Sequence, residues 1–351
     1  MSNGSRLLEG FVPEYDATVV TRILDAGVSV MSVAQREVDM AVATDQGGSI
    51  RIPSAWSGCV GLKPSHGLVP YTGCINTEPT VDHAGPIALT VSHCALMLEV
   101  MAGADGLDGR QKNVLKIPKY SQLLDSTKVS GKTLGVLKEG FSLCAEDSQR
   151  CVSDFLSTVS KAKLHTKDVS CYNYMRLCYR SPACSYHVQG YSPTSLEAAV
   201  RRGLQQPSTP FSTGAKWFTL AGELIQRRYG NHYPAKARNL ILKLSAQYDS
   251  ALKGCDVIVM PTLTHRAPGF IGQTDSPTKD ALDFVSQSLD MSGNTVAANM
   301  TGHPALTLPL GKPGDGQTDS VMIVGRRYDE VTVLAVARAL ERIIPARDGL
   351  N

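Results

Sequence analysis

One run of the sequence gathers a hydroxyl, a carboxylate and a guanidinium around two glycines: Ala43-Thr44-Asp45-Gln46-Gly47-Gly48-Ser49-Ile50-Arg51-Ile52-Pro53-Ser54. Ser49 closes a Gly-Gly turn, with Asp45 four residues before it and Arg51 two residues after. Glycines let a backbone approach a ligand closely and take dihedrals that other residues resist. Successive N–H groups in such a turn can converge on one point and form an anion-binding concavity. A Ser at the rim of that concavity is placed as a nucleophile beside an oxyanion hole. The plainer reading is that Gly-Gly-Ser is common turn chemistry and that Asp45 and Arg51 simply pair.

The flanks extend the pattern. After Asp45 come Gly47-Gly48-Ser49-Ile50-Arg51, Pro53, Gly58, Gly61, Lys63-Pro64, His66-Gly67-Leu68-Val69-Pro70 and Gly73. Further on stand Asp82-His83-Ala84-Gly85-Pro86, Asn294-Thr295, and Thr301-Gly302-His303-Pro304 entering an apolar run. This long, position-specific series resembles the amidase signature family, whose members hydrolyse amide C–N bonds with a Ser nucleophile, a cis-Ser and a Lys. The resemblance implies that Ser49 is the nucleophile and that the backbone amides of Gln46, Gly47, Gly48 and Ser49 form the oxyanion hole. Asp45 and Arg51 then read as a pair bracing the turn. The family chemistry needs no metal and no cofactor.

A Ser hydroxyl is a weak nucleophile until a base takes its proton. In the family a desolvated, neutral Lys does this through the cis-Ser. Donors aimed at the tetrahedral intermediate supply a further term, about 3–4 kcal/mol for each. Here the family pattern is incomplete. The family's Lys lies N-terminal to the part resembling residues 1–27, so the chain reads as beginning after it. The cis-Ser belongs to a Gly-Ser-rich run, whereas the interval Val28 to Met40 holds no Gly and only Ser29 and Ser32. Lys63 matches the Lys of the family's Gly-x-Lys-Pro turn, a structural position. His83 and His303 sit beside turns and read as structural hydrogen-bonders.

Strands and helices around this run are legible in outline. Met40 to Ala43 reads as a short buried strand leading into the turn. Upstream, Asp16 reads as the N-cap of a helix carrying Val19, Val20, Ile23 and Leu24 and closed by Gly27. Downstream, helices are expected over Val91 to Met101, Glu146 to Ala162, Leu220 to Gly230 and Tyr233 to Leu252. A last helix runs from an Asp329 cap to Ile343. Strands are expected over Lys132 to Leu137, Asp256 to Thr262, from Ala305 to Pro309, and Val321 to Gly325. Residues 1–10 read as loop, and about 165–215 as irregular, where the resemblance places substrate specificity. The strands are continuous apolar runs alternating with helices, which argues for a buried sheet between helical layers. The expected fold class is α/β: a large mixed β-sheet flanked by α-helices, as in the family, incomplete at the N-terminus and before the nucleophile strand. No linker or repeat divides the chain, so residues 1–345 are expected to form one amidase-like domain.

Composition bounds the rest. The chain has 351 residues, 42% hydrophobic and 19% charged, which fits a globular rather than a disordered protein. Its net charge of +3 is spread over scattered basic residues and short Arg pairs, with no stripe suited to a phosphate backbone, so no nucleic-acid partner is expected. Nine Cys stand at irregular spacings without a C-x-x-C, which favours reduced thiols, a cytoplasmic location and no metal site. No apolar run approaches a membrane span. The expected partners are a small-molecule amide substrate and, at most, a second copy in a homodimer. Besides an impaired amidase, two other readings stand: a non-catalytic amidase-like binding protein, and the amidase subunit of a glutamine-dependent tRNA amidotransferase. An unrelated Ser hydrolase has no G-x-S-x-G around Ser49 behind it.

Overall fold

The computed structural model describes residues 5–27, 38–111, 116–171, 194–205, 211–269, 276–311 and 319–345. Its centre is an eight-stranded mixed sheet, ordered β1-β3-β2-β7-β8-β6-β4-β5. The strands are β1 (Met40–Asp45), β2 (Val60–Lys63), β3 (His83–Ala88), β4 (Thr133–Leu137), β5 (His165–Val169), β6 (Val257–Pro261), β7 (Ala305–Pro309) and β8 (Ser320–Val324). Only β4 runs parallel to its neighbours, β5 and β6; every other pairing is antiparallel.

Side chains of a strand point alternately to the two faces of its sheet. Val257 and Val259 of β6 enter one apolar cluster, while Ile258 and Met260 enter another on the opposite face. Leu306 and Ala305 of β7, and Ile323 and Met322 of β8, divide in the same way. Both faces are covered, which is why these strands read as unbroken apolar runs. The larger core takes in α3 (Val91–Met101), α4 (Tyr120–Ser126), α6 (Glu146–Ser157) and α12 (Glu330–Glu341). The other face is covered by α9 (His232–Ala251) and α11 (Val296–Thr301). No helix among the described residues is long and apolar enough to cross a membrane.

Several expectations need correction. The first helix, α1 (Thr18–Asp25), is capped at Ala17 rather than Asp16, without a side-chain bond. It is held instead by Arg22, whose guanidinium donates to the carbonyls of Met101, Ala102, Gly103 and Ala104 at 2.7–3.0 Å. A cation there satisfies acceptors that the end of α3 leaves open. Residues 5–10 are not plain loop: Arg6–Leu8 form a 3₁₀ turn and Leu8 is buried. The expected Glu146 to Ala162 helix is α6 followed by a separate 3₁₀ turn, Val159–Ala162. Within the stretch expected to be irregular, β5 and α7 (Thr194–Leu204) are regular elements. The helix expected from Leu220 begins earlier, as α8 (Thr213–Tyr229) behind the Ser212 cap. Asp329 does cap α12, accepting the Thr332 N–H at 3.2 Å. The run Val28 to Val33, with Ser29 and Ser32, lies outside the described residues.

Candidate active site

Strand β1 is an edge strand, and its last residue, Asp45, lies opposite His83 of β3. The chain then turns through Gln46, Gly47, Gly48, Ser49 and Ile50 into α2 (Arg51–Ser57), a short helix that the sequence pattern does not show. Gly48 has φ +145°, a conformation that side-chain-bearing residues rarely adopt. A Cβ at Gly48 would also collide with the Thr295 hydroxyl and with Ile52. The turn therefore requires glycine at that position on two separate counts.

Behind the turn lies a fully buried charged network. Asp45 and Arg51 form a bidentate pair, with Nε to Oδ2 at 3.0 Å and Nη2 to Oδ1 at 3.1 Å. Asp45 Oδ2 also accepts the Ile50 N–H at 3.1 Å. Arg51 donates onward to the Thr295 carbonyl at 2.7 Å and to Asn299 Oδ1 at 2.6 Å. Asn299 Nδ2 donates to Asp45 Oδ1 at 2.8 Å and to the Asp45 carbonyl at 2.9 Å. Burial by itself would raise the Asp45 carboxyl; Arg51 and Asn299 outweigh it and hold the group below its ordinary range. Thr295 enters the family resemblance only within Asn294-Thr295, with no role attached, and Asn299 is a site residue that the sequence pattern does not single out. The one signal for Asn299 is a lone amide in the apolar run Val296-Ala297-Ala298-Asn299-Met300, four residues after a Thr.

Gly47 and Gly48 are buried and Ser49 is exposed. Among the described residues, none of the N–H groups of Gln46, Gly47, Gly48 and Ser49 donates a hydrogen bond. Buried backbone donors are rarely left unpaired. Four consecutive free N–H groups beside an exposed hydroxyl make a site able to receive an anion or an oxyanion. The Gln46 side chain is held apart from it, donating Nε2–H to Tyr71 Oη at 2.8 Å.

The other titratable groups nearby do not reach Ser49. Its hydroxyl makes no hydrogen bond within the described residues. Lys63 is fully buried at the end of β2 and donates to the Pro64 carbonyl at 2.9 Å. Burial, with Arg51 adding to it, pushes its ammonium well down despite Asp45 and Glu330. His83 Nδ1 faces the Val81 carbonyl at 2.7 Å and so carries the proton. Burial, Lys63 and His66 push His83 well down, which keeps it neutral. His303 lies between Thr301 Oγ1 at 2.9 Å and Asp249 at 3.2 Å. Burial, reinforced by Arg327, lowers it to about 4. No His, Cys, Asp or Glu cluster suited to a metal ion occurs among the described residues.

Residues 29–334 match the family model described as Amidase. An enantioselective amidase of Rhodococcus rhodochrous is 34% identical over 401 aligned residues, which span 96% of this chain and 75% of that protein. A glutamyl-tRNA(Gln) amidotransferase subunit from Microcystis aeruginosa is 28% identical over 400, spanning 96% of this chain and 79% of that protein. Both alignments are longer than the 351 residues of this chain, so each relative carries internal segments without a counterpart here. Among solved structures, the corresponding amidotransferase subunit from Thermotoga maritima superposes with a TM-score of 0.74 at 23% identity, over 98% of this chain and 80% of that one. A peptide amidase bound to the competitive inhibitor chymostatin gives 0.71 at 23%, over 99% and 80%. These structures share the fold: a mixed sheet between helical layers.

Proposed function

Because this chain belongs to the amidase family, whose chemistry is amide hydrolysis, we propose that Ser49 is its nucleophile and that the amides of Gln46, Gly47, Gly48 and Ser49 are its oxyanion hole. The observation carrying this reading is the row of four N–H groups, unpaired among the described residues, beside an exposed Ser hydroxyl. Ser49 Oγ attacks the amide carbonyl carbon as its proton passes to an acceptor, which later gives it to the leaving amine, and the carbonyl oxygen, now negative, is taken up by the backbone donors. Collapse expels the amine, which takes a proton, and leaves an acyl ester on Ser49. Water then attacks the ester, releasing the carboxylate and restoring the hydroxyl. Asp45 and Arg51 hold the turn and do not touch the reacting atoms.

No base bonds Ser49 Oγ within the described residues, and the relatives carry segments that this chain lacks. Turnover by the 351-residue chain is therefore expected to be orders of magnitude below that of a complete relay, with residual catalysis from the hole. The test is labelling by a fluorophosphonate, mapped by mass spectrometry, with ammonia release from a panel of amides measured alongside. Labelling at Ser49, abolished by Ser49→Ala, is expected. Labelling elsewhere, or none even over incubations long enough for an unactivated Ser to react, overturns the assignment. Labelling without ammonia release favours the non-catalytic binding reading.

A second reading, the amidase subunit of a glutamine-dependent tRNA amidotransferase, draws on the relative at 28% identity and ranks below the amidase at 34%. Co-purification with partner subunits would favour it. The remaining parts of the proposal are a small-molecule amide as substrate, no nucleic-acid partner, a cytoplasmic location, residues 1–345 acting as one unit and a homodimer as the assembly. Light scattering of the purified chain tests the last of these.

A further inference from the structure

We propose that Thr295 and Asn299 are positioning residues that set the direction of the oxyanion donors, each by holding the carbonyl that precedes a donor N–H. The inference rests on the Ser49 reading and adds to it residues that lie about 250 positions away in the chain. In a trans peptide the C=O of one residue and the N–H of the next point in opposite directions across a rigid plane. Fixing the carbonyl therefore aims the N–H. Thr295 Oγ1 donates to the Gly47 carbonyl at 2.6 Å, which turns the Gly48 N–H away from α11. Asn299 Nδ2 donates to the Asp45 carbonyl at 2.9 Å, which turns the Gln46 N–H away in the same manner. The Ile52 N–H holds the Gly48 carbonyl at 2.7 Å and so directs the Ser49 N–H.

Thr295 and Asn299 are four residues apart, the spacing that puts two side chains on one face of a helix. One helical face thus reaches two alternate peptides of the turn. Both residues are themselves fixed by Arg51, which bonds the Thr295 carbonyl and Asn299 Oδ1. Gly48 leaves the space that the Thr295 hydroxyl needs, since a Cβ there would occupy it.

The experiment pairs two readouts on the full chain. Crystal structures of Thr295→Val and Thr295→Ser report the orientation of the Gly47–Gly48 peptide. Titration with phenylboronic acid reports the hole, because the boron bonds to Ser49 Oγ as a tetrahedral anion while a proton leaves to solvent. Thr295→Val is expected to rotate the peptide and weaken boronate binding about a hundredfold. Thr295→Ser, which keeps the hydroxyl, should match the parent in both. An unrotated peptide in Thr295→Val, or a rotated one in Thr295→Ser, overturns the inference. Should Thr295→Val not fold, Thr295→Ala is read in the same way. If the parent itself does not bind the boronate, the Ser49 reading fails. The peptide orientations still decide whether Thr295 is a clamp.

Discussion

Replacing Arg51 with Met should expose how much of the turn depends on the buried pair. The side chains of Asp45 and Arg51 are both fully shielded from solvent. Arg51→Met removes two bonds to Asp45, one to the Thr295 carbonyl and one to Asn299 Oδ1, while keeping much of the apolar volume. Breaking a buried ion pair from one side typically costs about 3–5 kcal/mol, because the remaining charge is left uncompensated. The pH dependence carries a sign that distinguishes this cause. In the parent the Asp45 carboxyl is held below its unfolded value. Its contribution is therefore fully present above about pH 4 and is lost as pH falls through the folded pKa. Without Arg51, burial dominates and the folded pKa rises above the unfolded value. The variant then loses stability as pH rises, so the gap from the parent widens between about pH 4 and pH 7. Urea unfolding followed by tryptophan fluorescence measures this, since Trp56 lies in α2 itself. Asp45→Asn/Arg51→Met should recover part of the loss, giving a coupling of about 2 kcal/mol. A loss under about 1 kcal/mol at neutral pH, or additive single effects, would show that the turn does not depend on the pair.

Two further perturbations probe the same region. Gly48→Ala should cut fluorophosphonate labelling of Ser49 at least tenfold while leaving far-UV dichroism near that of the parent. The new methyl meets Thr295 and Ile52, and φ +145° strains any side-chain-bearing residue; unchanged labelling would contradict this. Lys63 is held well below its ordinary value by burial and by Arg51. The unfolded chain therefore binds its proton more readily, and stability should climb as pH rises from neutral toward the unfolded value of about 10.4. Lys63→Met should flatten that climb in urea midpoints measured from about pH 7 to 10, and an identical slope in the variant would assign the effect to other groups.

What could be read from sequence follows from where each signal resides. Strands β6, β7 and β8 are buried on both faces and announce themselves as apolar runs. The Asp329 cap of α12 was legible because capping is a contact three residues long. By contrast β5 is a sheet edge made of His165-Thr166-Lys167-Asp168-Val169 and is largely exposed, so no hydrophobic period marks it. Helix α2 has seven residues with Pro53 in its first turn and is too short to show a period. The Asp45–Arg51 pair spans six positions and could be guessed from spacing. The bonds from Thr295 to Gly47 and from Asn299 to Asp45 span 248 and 254. No local pattern carries such contacts; only the sheet order, which brings β1 and β7 to the same end of the fold through β3 and β2, creates them.

That distance also separates two halves of the chemistry. The groups that orient three of the four donors belong to α2 or to the segment Thr295–Asn299, all within the described residues. Among the described residues no base bonds Ser49 Oγ. Stabilising a tetrahedral anion needs only fixed dipoles, whereas forming one from an amide needs a proton acceptor within hydrogen-bond reach. With the donors in place and, among the described residues, no base bonded to Ser49, the chain should bind a pre-formed tetrahedral anion well and turn over amides poorly. Boronate affinity and ammonia release thus report different parts of this protein. A base introduced within reach of Ser49 Oγ should raise the second without changing the first, because the clamp that aims the donors does not pass through it.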